Sequence, residues 1–525
     1  MKLEDLSGQV VDQLYSALTG GTAELPLPDN VVINWVQPGI PFHESAFDWA
    51  IAGPYAGPTP LTLDDFQKLV ETIQGGDDQN PGMDRDKAIE EAKRMHQQFL
   101  LGSWEQWSRL VDFIPLVNPS SDETLVTKKS EEGSQKHTSL VYAQSGQTLS
   151  KVYEDTLDRC EVAQEELTDQ QKKIIERMQA LLQEEVEVED FLTGEKKTEI
   201  RDSRVMMLYK EKKLAYENAV IDYASRLARA SNGTASELIE WNRSGGVYKS
   251  RAISARRDFI ARGYKNDVER AQSTINHILG SSMVAWKDRL VQDVKDIQEN
   301  VTGAFGYPFF PSSILPGGFA RSDSWSKFDE RELHKKVKTS SNSRSWGGKA
   351  GLNLGLFSFG GSAGGKKKEE AFDFTQSEFG ISFEYTQVEI SRPAFNPNFF
   401  LSTGWRPKET FIADYGELHS DGKPDPKGSM IGYPTKALFV RNLTIYSRDL
   451  AKHMKSKESE IKAGASFGWG PFSVGGNYAQ SNKDRESNLD IQSSSIKIKG
   501  IQLVAFLSAL FPYTSNPSPE VKNWI

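Results

Sequence analysis

The sequence predicts an α+β protein: an elongated antiparallel helical bundle or coiled coil followed by a C-terminal β domain with a duplicated glycine-rich hairpin unit. Three observations predict it. Between Pro119 and Pro308 the chain runs 188 residues without proline, and apolar residues recur there at helical spacing. From about residue 305 the apolar period shortens to two. The stretch KAGLNLGLFSFGG (349–361) has a counterpart in KAGASFGWGPFSVGG (462–476).

Residues 1–118 form a mixed N-terminal region. Seven prolines between Pro26 and Pro60 leave room only for short strands such as VVINWV (31–36). Two helices follow, one after Leu61 with Thr62 as its cap and one from about Asp84 through Leu110. The aromatic residues Trp35, Phe42, Phe47, Trp49 and Tyr55 are read as packing residues. His43 and Glu44 stand together as an acid/base pair with no third polar partner in the local sequence.

Residues 119–304 read as the bundle. Tyr153, Leu157, Cys160, Leu167, Ile174, Met178, Leu181, Val188 and Leu192 fall on one ladder of alternating four and three steps. A second ladder runs from Met206 to Leu227 and a third from Met283 to Val301. Such seams let long helices bury a stripe against one another. Thr193-Gly194 and Asn232-Gly233 read as helix stops. EEVEVED (184–190) is acidic and SRAISARRDFIARGYK (250–265) basic, read as complementary solvated faces, with an anionic partner as the alternative for the second.

Residues 305–525 read as the β domain, with related units at about 346–397 and 459–512. At a constant offset of 115, Ile381, Phe383, Gln387 and Pro397 correspond to Ile496, Ile498, Gln502 and Pro512. Each unit reads as glycine-rich strand, charged tip, return strand and proline stop. FGISFEYTQVEI (379–390), ALFVRNLTIYS (437–447) and SSSIKIKGIQLVAFL (493–507) are the regular strands, and 396–434 is mainly loop.

Glycine weakens an ordinary strand, so its repetition asks for a thin face. Leu352, Leu354 and Leu356 alternate with Gly351, Asn353 and Gly355, and Phe357 and Phe359 follow. Ala465, Phe467 and Trp469 alternate with glycine and serine, and Phe472 and Val474 follow. Three readings fit: close packing within the protein, stacking between subunits, or strands with lipid on one side and water on the other. These ten residues are the candidate membrane- or assembly-contacting set. A long helical body joined to a β part with paired amphipathic hairpins resembles pore-forming toxin architectures. The perforin-like family also has two membrane hairpin regions. The segment nearest its signature, DYGELH (414–419), has the Tyr-Gly step without the signature's spacing or later glycine pair.

Composition limits the alternatives. A net charge of −9 and a pI near 5.6 argue against a nucleic-acid binder. One cysteine, Cys160, excludes an intramolecular disulfide and suits a reducing compartment. The N-terminus does not read as a signal peptide, and no apolar run reaches the ~20 residues of a spanning helix. The expectation is a protein made soluble in the cytoplasm, then released or recruited to a membrane. Phosphate loops, zinc-binding spacings and nucleophile elbows are missing, so neither cofactor nor small-molecule substrate is expected. The reading is a non-enzymatic protein that self-associates into a homo-oligomer and engages membrane lipid, forming pores through the two hairpins. The alternative is a scaffold that assembles without lipid. An enzyme with its site near His419, beside Asp414, Glu417 and Asp421, is the third reading.

Overall fold

The computed structural model describes residues 30–54, 58–75, 83–115, 139–141, 147–164, 169–189, 196–232, 235–279, 282–300, 309–330, 356–359, 367–368, 380–423, 426–458, 466–474 and 489–525. It mixes helix and strand around a large, mostly antiparallel sheet.

That sheet draws strands from the whole chain. β1 (Val31–Phe42) pairs with β2 (Ser139–Val141) on one side and with β17 (Ser495–Leu510) on the other. The first and third sequence zones are therefore joined by a strand ladder, and the break in composition near residue 118 is not a break in the sheet. A two-stranded hairpin, β4 (Gln183–Glu189) with β5 (Lys196–Asp202), lies apart from the sheet, as does the pair of β3 (Cys160–Val162) with a strand named below. The sheet continues with β6 (Ser313–Leu315) and β7 (Ser326–Glu330). A small second sheet contains β8 (Leu356–Phe359) and β9 (Lys367–Lys368). The principal strands are β10 (Gly380–Ser391), β13 (Gly432–Tyr446) and β17 (Ser495–Leu510). Between β10 and β13 lie β11 (Trp405–Pro407), the partner of β3, and β12 (Ser420–Asp421), which pairs with β18 (Tyr513–Thr514). β14 (Ser466–Trp469) and β15 (Phe472–Val474) complete the small sheet, and β16 (Leu489–Ile491) pairs with β17.

Among the described residues the helices of seven residues or more are α1 (Leu63–Gln74), α2 (Arg85–Leu110), α3 (Leu149–Asp158), α4 (Asp169–Leu182), α5 (Arg204–Asn232), α6 (Ala235–Ala261), α7 (Lys265–Leu279), α8 (Met283–Asn300), α9 (Glu409–Tyr415) and α10 (Arg448–Ser456). The second and third ladders lie on α5 and α8. The first ladder is not one helix: α3, β3, α4 and β4 divide its described members among them, and Leu167 and Leu192 lie outside the described residues. Cys160–Val162 turns to pair with β11, and the Val186/Val188 alternation with glutamates is the period of a strand. α5 and α6 form an antiparallel hairpin, and α7 packs on α4, α5, α6 and α8; the described residues do not confirm a coiled-coil bundle over 119–304.

Three apolar cores follow. One face of the main sheet packs under the small sheet and α10, with Trp35, Phe328, Phe383, Val440, Ile445 and Val504 facing Phe467 and Trp469. The opposite face meets α2 through Trp104 and Trp107, together with Phe47, Trp49 and Phe319. A third core gathers α3, α8, Phe399, Phe400, Trp405 and Phe411. The sheet also carries extra residues at one level: Asn442 in β13 (φ +54°) and Gly500 in β17 (φ +95°) both interrupt the ladder there. Such bulges bend strands and sharpen their twist. Beyond that level β16 takes the place of β1 beside β17.

Candidate functional site

Four strands of the main sheet form an antiparallel meander in the order β7-β10-β13-β17. Its ends are unequal. At one end Glu330 lies opposite Ile381, Gly380 opposite Tyr446, and Tyr446 opposite Ser495. From this end leave two insertions, residues 331–379 between β7 and β10 and residues 447–494 between β13 and β17. They are 49 and 48 residues long. The remaining connection, from β10 to β13, is made at the opposite end.

The two insertions meet. β8 and β9 come from the first, β14 and β15 from the second, and together they make one sheet in the order β15-β14-β8-β9. Ser466 lies opposite Phe359 and Trp469 opposite Leu356. The glycine-rich stretch 462–476, expected as a single strand, is itself a hairpin tip: Trp469 faces Phe472 across Gly470-Pro471. Gly470 supplies φ +55°, which a larger residue adopts at a cost. The described residues therefore do not show two equal copies of one unit. β8 and β9 are separated by residues 360–366, where β14 and β15 are separated by two. What the copies share is position, since β10 and β17 flank β13 on opposite sides.

Of the ten candidate residues, Leu352, Leu354 and Ala465 lie outside the described residues. Leu356, Phe357 and Phe359 belong to β8. Phe467, Trp469, Phe472 and Val474 are all at most 1% exposed. Trp469 stacks on Phe472 at 6.0 Å, and Phe472 meets Phe383 at 5.9 Å. In this conformation these four side chains belong to the core between the sheets and touch no solvent.

Sequence reading missed what fastens the tip. β15 is an edge strand, and the buried carboxamide of Gln502 stands in for its missing neighbour. The Ser473 amide donates to Gln502 Oε1 at 2.8 Å, and Gln502 Nε2 donates to the Ser473 carbonyl at 3.0 Å. Two residues back, the Gly39 amide donates to the Pro471 carbonyl at 2.9 Å. A Cβ at Gly39 would lie 2.7 Å from that oxygen, so only glycine permits the approach. The offset that aligned Gln387 with Gln502 was the available signal, but not its meaning. The Ser473 hydroxyl is buried with no hydrogen-bond partner.

The other candidate chemistry is occupied. His43 Nδ1 accepts from the Ser45 amide and Glu44 pairs with Arg321 at 3.2 Å, so the two are used separately. His419 is fully buried, stacked on Phe411 at 5.1 Å and set edge-on to Trp405 at 5.0 Å. The Thr156 hydroxyl donates to the Val152 carbonyl, so His419 Nε2 donates to Thr156 Oγ1 at 2.8 Å. Burial pushes the imidazole pKa down to about 3. Asp414 turns away to Arg159 at 2.6 Å, and Asp421 accepts from the Lys423 and Lys427 amides. Among the described residues no group of three His, Cys, Asp or Glu side chains could hold a metal ion, and no helix is long and apolar enough to cross a membrane. Comparison of the chain with known protein families, with characterised proteins and with solved structures finds no match.

Proposed function

We propose that the protein assembles as a homo-oligomer on a membrane and perforates it by extending the two insertions as β-hairpins from one end of its sheet. The observation that carries this reading is topological: two insertions of nearly equal length leave the same end of a four-stranded meander and fold back over its face. Extended, each arm of such an insertion has about 24 residues, on the order of 80 Å at ~3.3 Å per residue. A membrane-spanning strand uses only about 9–11 of them. The rest bridges the distance from the sheet to the bilayer. Each copy offers four strands, whereas an aqueous barrel needs about 16 or more, so several copies must share one pore.

Energetics favours lipid as the trigger. Burying a side chain such as those of Phe467, Trp469, Phe472 or Val474 stabilises by roughly 1.5–3 kcal/mol apiece. Releasing them into water forfeits that stabilisation; releasing them into acyl chains largely restores it.

A disulfide tests the reading. Asp490 and Lys497 are exposed register partners of β16 and β17. In a straight arm, seven residues apart, they would stand roughly 23 Å from each other, far beyond a disulfide's reach. The variant Asp490→Cys/Lys497→Cys should release no dye from vesicles when oxidised and recover release on reduction. Wild-type protein that forms rings or filaments without lipid and never releases dye would instead support the scaffold reading.

A further inference from the structure

The main sheet holds a cavity at the level where its ladder is interrupted. β1 leaves β17 with Phe42 opposite Ile501, and β16 joins the same edge with Leu489 opposite Ile498. Lys499 and Gly500, between those two pairs, are matched to neither strand. Across the sheet Asn442 is left without a register partner between Arg441 and Leu443. Beyond Phe42 the chain turns at once into the short 3-10 helix Glu44–Phe47. The space opened by these departures has a volume of about 260 Å³, and its walls include Phe42, His43, Glu44, Arg441, Asn442 and Gly500.

Four polar groups of this lining keep hydrogen-bonding capacity that no described residue uses. Arg441 is held in place: Nε donates to Glu384 at 2.7 Å, Nη1 donates to the Ala320 carbonyl at 3.3 Å, and the guanidinium lies 4.4 Å from the centre of the Trp325 ring. Its Nη2 remains. His43 Nδ1 accepts from the Ser45 amide, so the neutral ring carries its proton on Nε2, a donor with no acceptor. Glu44 gives one oxygen to Arg321 and keeps the other. Asn442 stands at φ +54°, where asparagine is tolerated partly through local hydrogen bonds of its side chain. Its carboxamide makes none and lines the cavity instead. Phe42, set by Phe47 at 5.1 Å, adds an aromatic wall, and Ile501 adds apolar surface. The charges of Arg441 and Glu44 cancel, so the lining favours a neutral ligand rich in hydroxyls over an anion or a cation. We infer that this cavity binds a single sugar ring. Its hydroxyls accept from Arg441, His43 and Asn442 and donate to Glu44 and Asn442, while an apolar C–H face lies on Phe42. The volume is just below that of sites for drug-sized ligands, which limits the occupant to one ring. The same ring can come free in solution or as the end of a surface glycan, and the inference stands without the pore reading.

The test uses the full chain with glucose, galactose, mannose and N-acetylglucosamine, each as the free sugar and as the terminal residue of an immobilised glycan. Saturation-transfer NMR should detect at least one free sugar, and titration of isoleucine-methyl-labelled protein should shift the Ile501 methyl, assigned through Ile501→Val. Asn442→Gly removes the carboxamide and suits the positive φ. His43→Ser removes the imidazole and keeps a side chain able to cap the 3-10 helix. Each variant should keep the circular dichroism of the wild type and bind about fivefold more weakly, the loss expected for one hydrogen bond. Retention on immobilised glycans with no signal from any free sugar would assign the cavity to a glycan end, and the Ile501 methyl should then shift with a soluble form of that glycan. Absence of binding in both arms overturns the inference. So does sugar binding that leaves the Ile501 methyl unmoved, or that both folded variants match at wild-type strength. Glycine or inorganic phosphate shifting that methyl where no sugar does would show a site for charged ligands and overturn it as well.

Discussion

Single residues decide how firmly the tip is held. Gln502 makes two hydrogen bonds to the backbone of Ser473. Gln502→Ala removes both and leaves an amide and a carbonyl buried without partners, each costing about 1–3 kcal/mol. The variant should melt several degrees lower and, if the tip is the inserting element, release dye at lower protein concentration than wild type. A lower melting point together with slower release would show Gln502 to be structural only. His419 sets a separate expectation. Its folded pKa of about 3 lies below the ordinary 6.5, so between those values the unfolded chain binds more protons than the folded one. Its contribution is fully present above pH 6.5 and is lost as pH falls toward 3. His419→Phe, which keeps a ring against Phe411, should flatten the acid side of a plot of urea stability against pH. An unchanged slope would place the acid sensitivity elsewhere. Of these two sites the sequence disclosed the residues but not the roles. A buried glutamine that substitutes for a strand looks like any other strand residue, and near His419 Asp414 is taken up by Arg159 and Asp421 by loop amides.

At the scale of elements, legibility followed the strength of the period. β10, β13 and β17 were readable because their alternation is long, and α5 and α8 because their ladders are supported by length. The first ladder failed for a physical reason: steps of three and four can be supplied by two short helices and two short strands in succession. The Val-Glu alternation in β4 was the competing signal, and it won because β5 pairs with it. The glycine-rich stretch was misjudged similarly, since Gly470-Pro471 marks a turn inside what alternation alone presents as one strand. In the proposed pore α10 must unwind for the second arm to extend. Ser447 caps it through the Leu450 amide, and Leu450, Ala451 and Met454 are buried beneath it. If the arm straightens, the amides of 448–456 should exchange slowly in solution as helix and then change partners on the vesicle. Hydrogen exchange should show transient loss of protection there before dye release, while β10 stays protected. Protection of α10 that persists through release would sink the conversion.

For the whole molecule, the proposed pore requires that several copies contribute to one barrel. The meander provides two insertions, hence four strands, and a water-filled barrel needs about four or more such contributions. A copy whose arm cannot straighten should therefore disable the ring it joins, because its missing strands break the hydrogen-bond circuit that a membrane barrel must close. The oxidised Asp490→Cys/Lys497→Cys protein supplies such a copy without touching the buried cores, since both positions are exposed. Mixed with wild type before vesicles are added, it should poison release steeply. At equal amounts and random mixing, fully competent rings of four or more copies fall to about one-sixteenth or less. Action by independent copies would instead leave half the release, in direct proportion to the wild-type fraction. Reducing the disulfide in the same mixture should restore release to the wild-type level, which rules out mere competition for the surface. A linear dilution curve, with wild-type release intact, would remove the oligomer from the mechanism and return the two insertions to the role of a cover over the sheet.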